Sequence, residues 1–105
     1  MRIGWSSEVR ANHWVKVNLD EDDLVRLLVE GGVDVGARLR IPTNTVHKLL
    51  DVECQRLLLT KLVLDYGYRG ETVDKARALK VERADILGKL AAEFPAPSTQ
   101  EPLPV

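Results

Sequence analysis

The sequence predicts a mainly α fold, a small helical domain with helix-turn-helix-like units and a short N-terminal β-strand or hairpin. Three observations carry that prediction. From Thr43 to Tyr66 no residue breaks a helix, and apolar residues recur at helical spacing. A second such run follows the glycine-bearing turn "YGYRGE". Ahead of both, "HWVKVNL" has the β-branched alternation of a strand.

The elements follow in chain order. Residues 1–19 form a strand or hairpin arm, in which "RIGW" can pair with "HWVKVNL" across the polar "SSEVRAN". In "DEDDLVRLLVEGG", Asp20 is placed to cap a helix. Acids fill its first turn, Leu24, Leu27 and Leu28 form one stripe, and Gly31-Gly32 end it. The run from Thr43 carries Val46, Leu49, Leu50, Cys54, Leu57, Leu58 and Leu62, widened by Leu59, Val63 and Leu64. That face is broader than a monomer of 105 residues readily covers, so a homodimer is expected. The last run places Val73, Ala76, Leu79, Ile86, Leu90 and Phe94 at helical spacing. Helices thus occupy 20–94, one domain spans 1–94, and the proline-rich 95–105 is expected to be a disordered tail.

Composition narrows the function. At 45% hydrophobic and 30% charged residues the chain reads as a soluble globular protein. No apolar run reaches the roughly 20 residues that cross a bilayer, and no secretion signal is evident. The lone Cys54 suits a reducing, cytoplasmic setting and reads as a small buried hydrophobe. Two distant histidines and one cysteine give no metal spacing, and no catalytic or nucleotide-binding motif is present. The expectation is therefore a protein without metal, cofactor or catalysis. Trp5 and Trp14 read as core or dimer contacts, with a stacking platform for single-stranded nucleic acid as the other possibility.

Residues 33–50, "VDVGARLRIPTNTVHKLL", supply the first functional candidate. Val35, Leu39, Ile41, Val46 and Leu49 fall at the apolar positions of a helix-turn-helix, and Gly36 falls where two helices would approach closely. Thr43, Asn44, Thr45, His47 and Lys48 would then face a DNA groove, with Arg38 and Arg40 on phosphate. This stretch carries three basic residues against one acid, although the whole chain has a net charge of −1. Arg40 stands where the tight turn of such a unit usually has glycine.

The C-terminal third offers the second candidate. "YGYRGETVDKARALKVERADILGKLAAEF" carries Tyr66, Arg69-Gly70, Ala76, Leu79, Val81, Arg83, Ile86 and Lys89-Leu90. In that order these residues resemble the C-terminal helix-turn-helix of Fis and of NtrC-type activators, over about residues 49–94. The resemblance implies a turn near Lys80-Val81 and a recognition helix in which Arg83 and Lys89 contact DNA. It departs from that family in Lys80, where the turn glycine is usual, and in Glu82, Asp85, Leu87 and Gly88 on the recognition helix.

The leading expectation is sequence-specific binding of double-stranded DNA through a helix-turn-helix, as a small transcriptional regulator or architectural accessory factor. The alternative is an oligomeric protein-interaction module, an inhibitor or adaptor, that grips a basic partner through the acidic "LDEDD" helix. The near-neutral net charge favours the alternative, because DNA affinity comes largely from phosphate neutralisation.

Overall fold

In the computed structural model, which describes residues 1–97, a β-hairpin leads into three α-helices and one short 3-10 helix. Strands β1 (Arg2–Arg10) and β2 (His13–Asp20) pair antiparallel, with Trp5 opposite Val17 and Ile3 opposite Leu19. Both run longer than the sequence suggests, because the polar "SSEVR" belongs to β1 and the turn is only Ala11-Asn12. Asn12 adopts a left-handed φ of 62°, its N–H donates to Glu8 Oε2, and a bulge lies between Glu8 and Arg10. Period-two alternation turns Val15, Val17 and Leu19 inward and leaves Trp14, Lys16 and Asn18 in solvent.

Helix α1 (Glu21–Glu30) starts at once. The Asp20 carboxylate accepts from the N–H groups of Asp22 and Asp23, while Asp23 accepts from the Asp20 N–H, so each satisfies the other's end of the first turn. Leu24, Leu27 and Leu28 are buried. At the far end Gly31 permits close approach to the last helix, since a Cβ there would lie 2.8 Å from Leu87 Cδ2.

Helix α2 (Thr43–Tyr66) is the spine. It ends at Gly67, whose φ of 72° lets the chain reverse through Gly70 into α3 (Glu71–Glu93). The two long helices lie side by side, and the β-hairpin packs along another side of α2. One core joins Leu19, Leu24, Leu27, Leu28, Val33, Ile41, Val46, Leu49, Leu50, Cys54, Leu87 and Leu90. A second, near the hairpin turn, joins Val15, Leu58 and Leu62. Val33 forms an isolated bridge with Pro95, and the Ala96 N–H donates to Gly32 O, tying the end of α3 to the loop after α1.

The predicted fold class needs correction. Helices predominate and an N-terminal hairpin precedes them, but neither helix-turn-helix-like unit is present among the described residues. Residues Val35–Arg40 form a single 3-10 helix, held at its start by Asp34, whose side chain accepts from the Gly36 N–H. No second helix crosses at Gly36, where an added Cβ would meet only the Asp34 carboxylate. The residue buried there is Ala37, and Leu39, assigned to an interior position, is 91% exposed.

In the C-terminal third, the turn expected near Lys80-Val81 does not exist, because both residues lie inside the unbroken α3. Leu87 faces the core instead of an outer recognition surface, and Ile86 is only half-buried. Most of the expected tail, residues 98–105, lies outside the described residues; Pro95 and Ala96 are tied down as above.

Of the two roles expected for the tryptophans, core and dimer contacts, the first is not seen. Trp5 is 40% exposed and Trp14 53% exposed, so neither fills the core of the monomer. The face of α2 that suggested a dimer is covered in part by the chain's own hairpin, α1 and α3: Val46, Leu49, Leu50, Cys54, Leu58 and Leu62 are buried, Leu57, Leu59 and Val63 are half-buried, and Leu64 is exposed.

Two predictions follow from the packing and the cap. Leu50 is fully buried, so Leu50→Ala should lower unfolding free energy by about 2–5 kcal/mol in urea denaturation. The Asp23 N–H bond, aided by the Asp23 side chain and the Asp22 N–H, holds the Asp20 carboxyl below its ordinary pKa. A folded pKa below the unfolded one stabilises the fold above the unfolded value of 3.8 and is lost as pH falls through the folded value. The gap in denaturation midpoint between wild type and Asp20→Ala should therefore narrow between about pH 5 and pH 2.

Candidate functional site

The residues expected to contact DNA do not form one surface. Thr43, Asn44, His47 and Lys48 are exposed on the first turns of α2, where no side chain caps the helix. Thr45 is half-buried and lines an open cleft of about 520 Å³ between α2 and α3. Lys48 and Lys89 also line it, with Glu82, Asp85 and Glu93. Three carboxylates against two ammonium groups leave this cleft net negative, a poor setting for phosphate.

The arginines are committed elsewhere. Arg38 Nη2 lies 3.4 Å from Glu21 Oε1. The Arg40 guanidinium carbon stands 5.6 Å from the centre of the Phe94 ring, a cation–π contact. Arg83 is drawn inward: its Nη2 lies 2.9 Å from Glu30 Oε1 and its Nε 2.8 Å from Glu53 Oε1. The Nε–H does not point along that contact and makes no hydrogen bond, so attraction of charges holds the pair.

Glu53 is the buried charged residue among the described residues, and Arg56 grips it two-fold, Nε to Oε1 at 2.7 Å and Nη2 to Oε2 at 3.0 Å. That bond raises the Arg56 pKa further, against a smaller opposing effect of burial. Burying a carboxylate costs hydration, and the two guanidiniums beside it offset that cost. The cluster joins the end of α1 through Glu30, the middle of α2, and α3 through Arg83.

Most carboxylates of the acidic helix have partners within the chain, while Asp22 is exposed and makes no ion pair with the described residues. Asp20 and Asp23 close the cap, Asp23 also lies 3.7 Å from Arg26, Glu21 faces Arg38 and Glu30 faces Arg83. Nor is there a nucleophile at Cys54. Its thiol is buried, donates to Val17 O at 3.2 Å, and has its pKa pushed up chiefly by burial. Among the described residues no group of three or more His, Cys, Asp or Glu could hold a metal ion, and no helix is long and apolar enough to cross a membrane.

A different surface has the features of a binding site. Beyond the Glu53–Arg83 pair, the seam between α2 and α3 opens into a groove of about 260 Å³. Thr60, Val63 and Leu64 line it from α2 and Val73 and Ala76 from α3, with Arg56, Arg77 and Lys80 as its cations. Leu64 is 76% exposed. Helix α1 meets α3 at Leu87 and Arg83, one turn short of Lys80, so nothing from α1 covers this distal part.

In the sequence Val63 and Leu64 stand out only as a widening of the apolar face. The width was the signal: a helix stripe that exceeds what one seam covers leaves a flank over. Glu53, set among apolar residues with Arg56 three positions on, was likewise readable as a paired buried charge. Comparison of the chain with protein-family models, with curated proteins and with solved structures finds no match in any of the three.

The ion cluster generates a stability prediction. Arg83→Met strands part of the Glu53 charge and should cost about 3–5 kcal/mol in denaturant unfolding. Adding Glu53→Leu and Arg56→Leu to it should recover much of that loss, because the buried carboxylate is then gone. A triple variant no more stable than Arg83→Met would mean that the cluster is not held by charge compensation.

Proposed function

We propose that the protein is a protein-interaction module without catalytic activity, and that the distal α2–α3 groove is where its partner docks. The observation that carries this reading is the apolar strip of exposed Leu64 and half-buried Val63, Val73 and Ala76, flanked by cations and lining a groove between the two helices without a carboxylate, unlike the net-negative cleft nearer the start of α2. Such a strip, concave and rimmed by charge, is the usual form of a helix- or peptide-binding groove. Two long helices joined through Gly67 and Gly70 hold it on rigid elements. This reading moves the contact surface away from the acidic α1, whose carboxylates are largely taken up within the chain.

A photo-crosslinking amino acid at Ala76, compared with one at the exposed Glu8 on the hairpin, tests the proposal in the protein's own cells. The expected result is a discrete protein adduct from position 76 that disappears with Leu64→Asp. Equal labelling from both positions, or adducts that persist with Leu64→Asp, would overturn it.

A second reading, DNA binding without a helix-turn-helix, has one observation in its favour. Thr43, Asn44, His47 and Lys48 share the exposed, side-chain-uncapped first turns of α2, where free N–H groups and a helix dipole favour phosphate. Fluorescence anisotropy with mixed-sequence duplex DNA separates the two. Under the leading reading no binding appears at about 50 mM salt. Binding that collapses by orders of magnitude towards about 200 mM would establish several phosphate contacts and favour DNA.

A further inference from the structure

Resting on the interaction-module reading, we infer that the occupant of the distal groove is an acidic amphipathic helix from another protein. The floor is apolar: Val63 and Leu64 come from the end of α2, Val73 and Ala76 from the start of α3. All three ionisable residues that line it, Arg56, Arg77 and Lys80, are cations, and no carboxylate lines it among the described residues. Arg56 is neutralised by Glu53 beside it. Arg77 and Lys80 are exposed and make no ion pair with the described residues, so their charge is available on the rim.

Geometry sets the kind of ligand. The α2 side of the groove runs from Arg56 to Leu64 and the α3 side from Val73 to Lys80, each about 10–12 Å along a helix axis. That length accepts about two turns of a third helix, laid against the pair to make a local three-helix seam. Its apolar side chains would meet Val63, Leu64, Val73 and Ala76, and carboxylates flanking that stripe would reach Arg77 and Lys80. The chain itself shows the local solution nearer the base of the same seam, where α1 places Glu30 on Arg83 and its Gly31 end against Leu87.

The occupant is not a second copy docked groove to groove. That arrangement would set Arg77 and Lys80 of both copies into one desolvated seam, where like charges repel with nothing on the groove lining to offset them. Nor does a nucleic acid suit the site, because two free cations beside an exposed leucine offer little phosphate neutralisation.

The test is selection from a random peptide library on the full-length protein, with counter-selection on the double variant Arg77→Glu/Lys80→Glu. Circular dichroism and thermal melting confirm that the variant is folded; both residues are exposed, so no loss of fold is expected. Enriched peptides should carry leucine-like residues at helical spacing with Asp or Glu beside them. Their affinity should fall by about tenfold or more on the double variant. In amide spectra of the wild type, the shifts they cause should centre on Val63, Leu64, Val73 and Ala76.

A consensus without acids, or binding that survives the charge reversal, overturns the acidic partner while leaving an interaction groove in place. No enrichment over the variant overturns it as well, and the Ala76 crosslink then decides whether the broader reading also falls. Dimerisation in light scattering that is lost with Leu64→Asp overturns it in favour of a second copy.

Discussion

A single helix too apolar to stand alone imposes most of this architecture. Buried residues on α2 occupy positions 46, 49, 50, 52, 53, 54, 58 and 62, more of the circumference than one neighbour can shield. The chain answers with cover on several sides: the hairpin through Val15, Val17 and Leu19, α1 through its leucines, and α3 through Leu87 and Leu90. Each of these elements is too small or too amphipathic to persist by itself, and each gains its stability from contact with α2. Where that cover stops, at the far end of the helical pair, the remaining flank becomes the groove.

Within this scheme Glu53 marks the line between the covered and uncovered parts. A carboxylate among leucines is tolerated because Arg56 reaches it from the same helix and Arg83 from the facing one. Sliding α3 by one turn would carry Arg83 away and leave the charge uncompensated, so the cluster favours one register of α2 against α3. Through Glu30 it also fixes where α1 ends. One cluster of ion pairs, centred on the buried Glu53, thus ties three helices together and, indirectly, positions the floor of the distal groove.

Much of the fold could be read from local signals. Asp20 with three following acids announced the start of α1, the run from Thr43 to Tyr66 announced α2, and "YGYRG" announced the reversal. The failures were of another kind. The helix-turn-helix readings, one from apolar spacing at 33–50 and one from a family resemblance over about 49–94, fail where a 3-10 helix leaves Leu39 exposed and one continuous α-helix runs through Lys80-Val81. Spacing along one strand of chain does not say which neighbour comes to cover it. The same gap hid the fate of Arg83: its role depends on Glu30 and Glu53, distant in sequence, and an arginine on a helix surface looks identical whether it meets phosphate or a buried carboxylate. The groove was the least visible, being defined by what fails to cover Val63 and Leu64.

The hairpin has a consequence of its own. Among the described residues the sheet has two strands and so two unpaired edges, each eight or nine residues long. Open edges invite strands from other molecules to add on, the first step towards aggregation. This sheet carries Arg2, Glu8, Arg10 and Lys16 among its exposed positions, together with a bulge at Glu8–Arg10 that interrupts the regular ladder. Any strand that joined would have to desolvate those charges and match an irregular template. The charges are thus a solubility device as much as a surface, and replacing them with apolar residues would turn a supporting element into a seed for assembly.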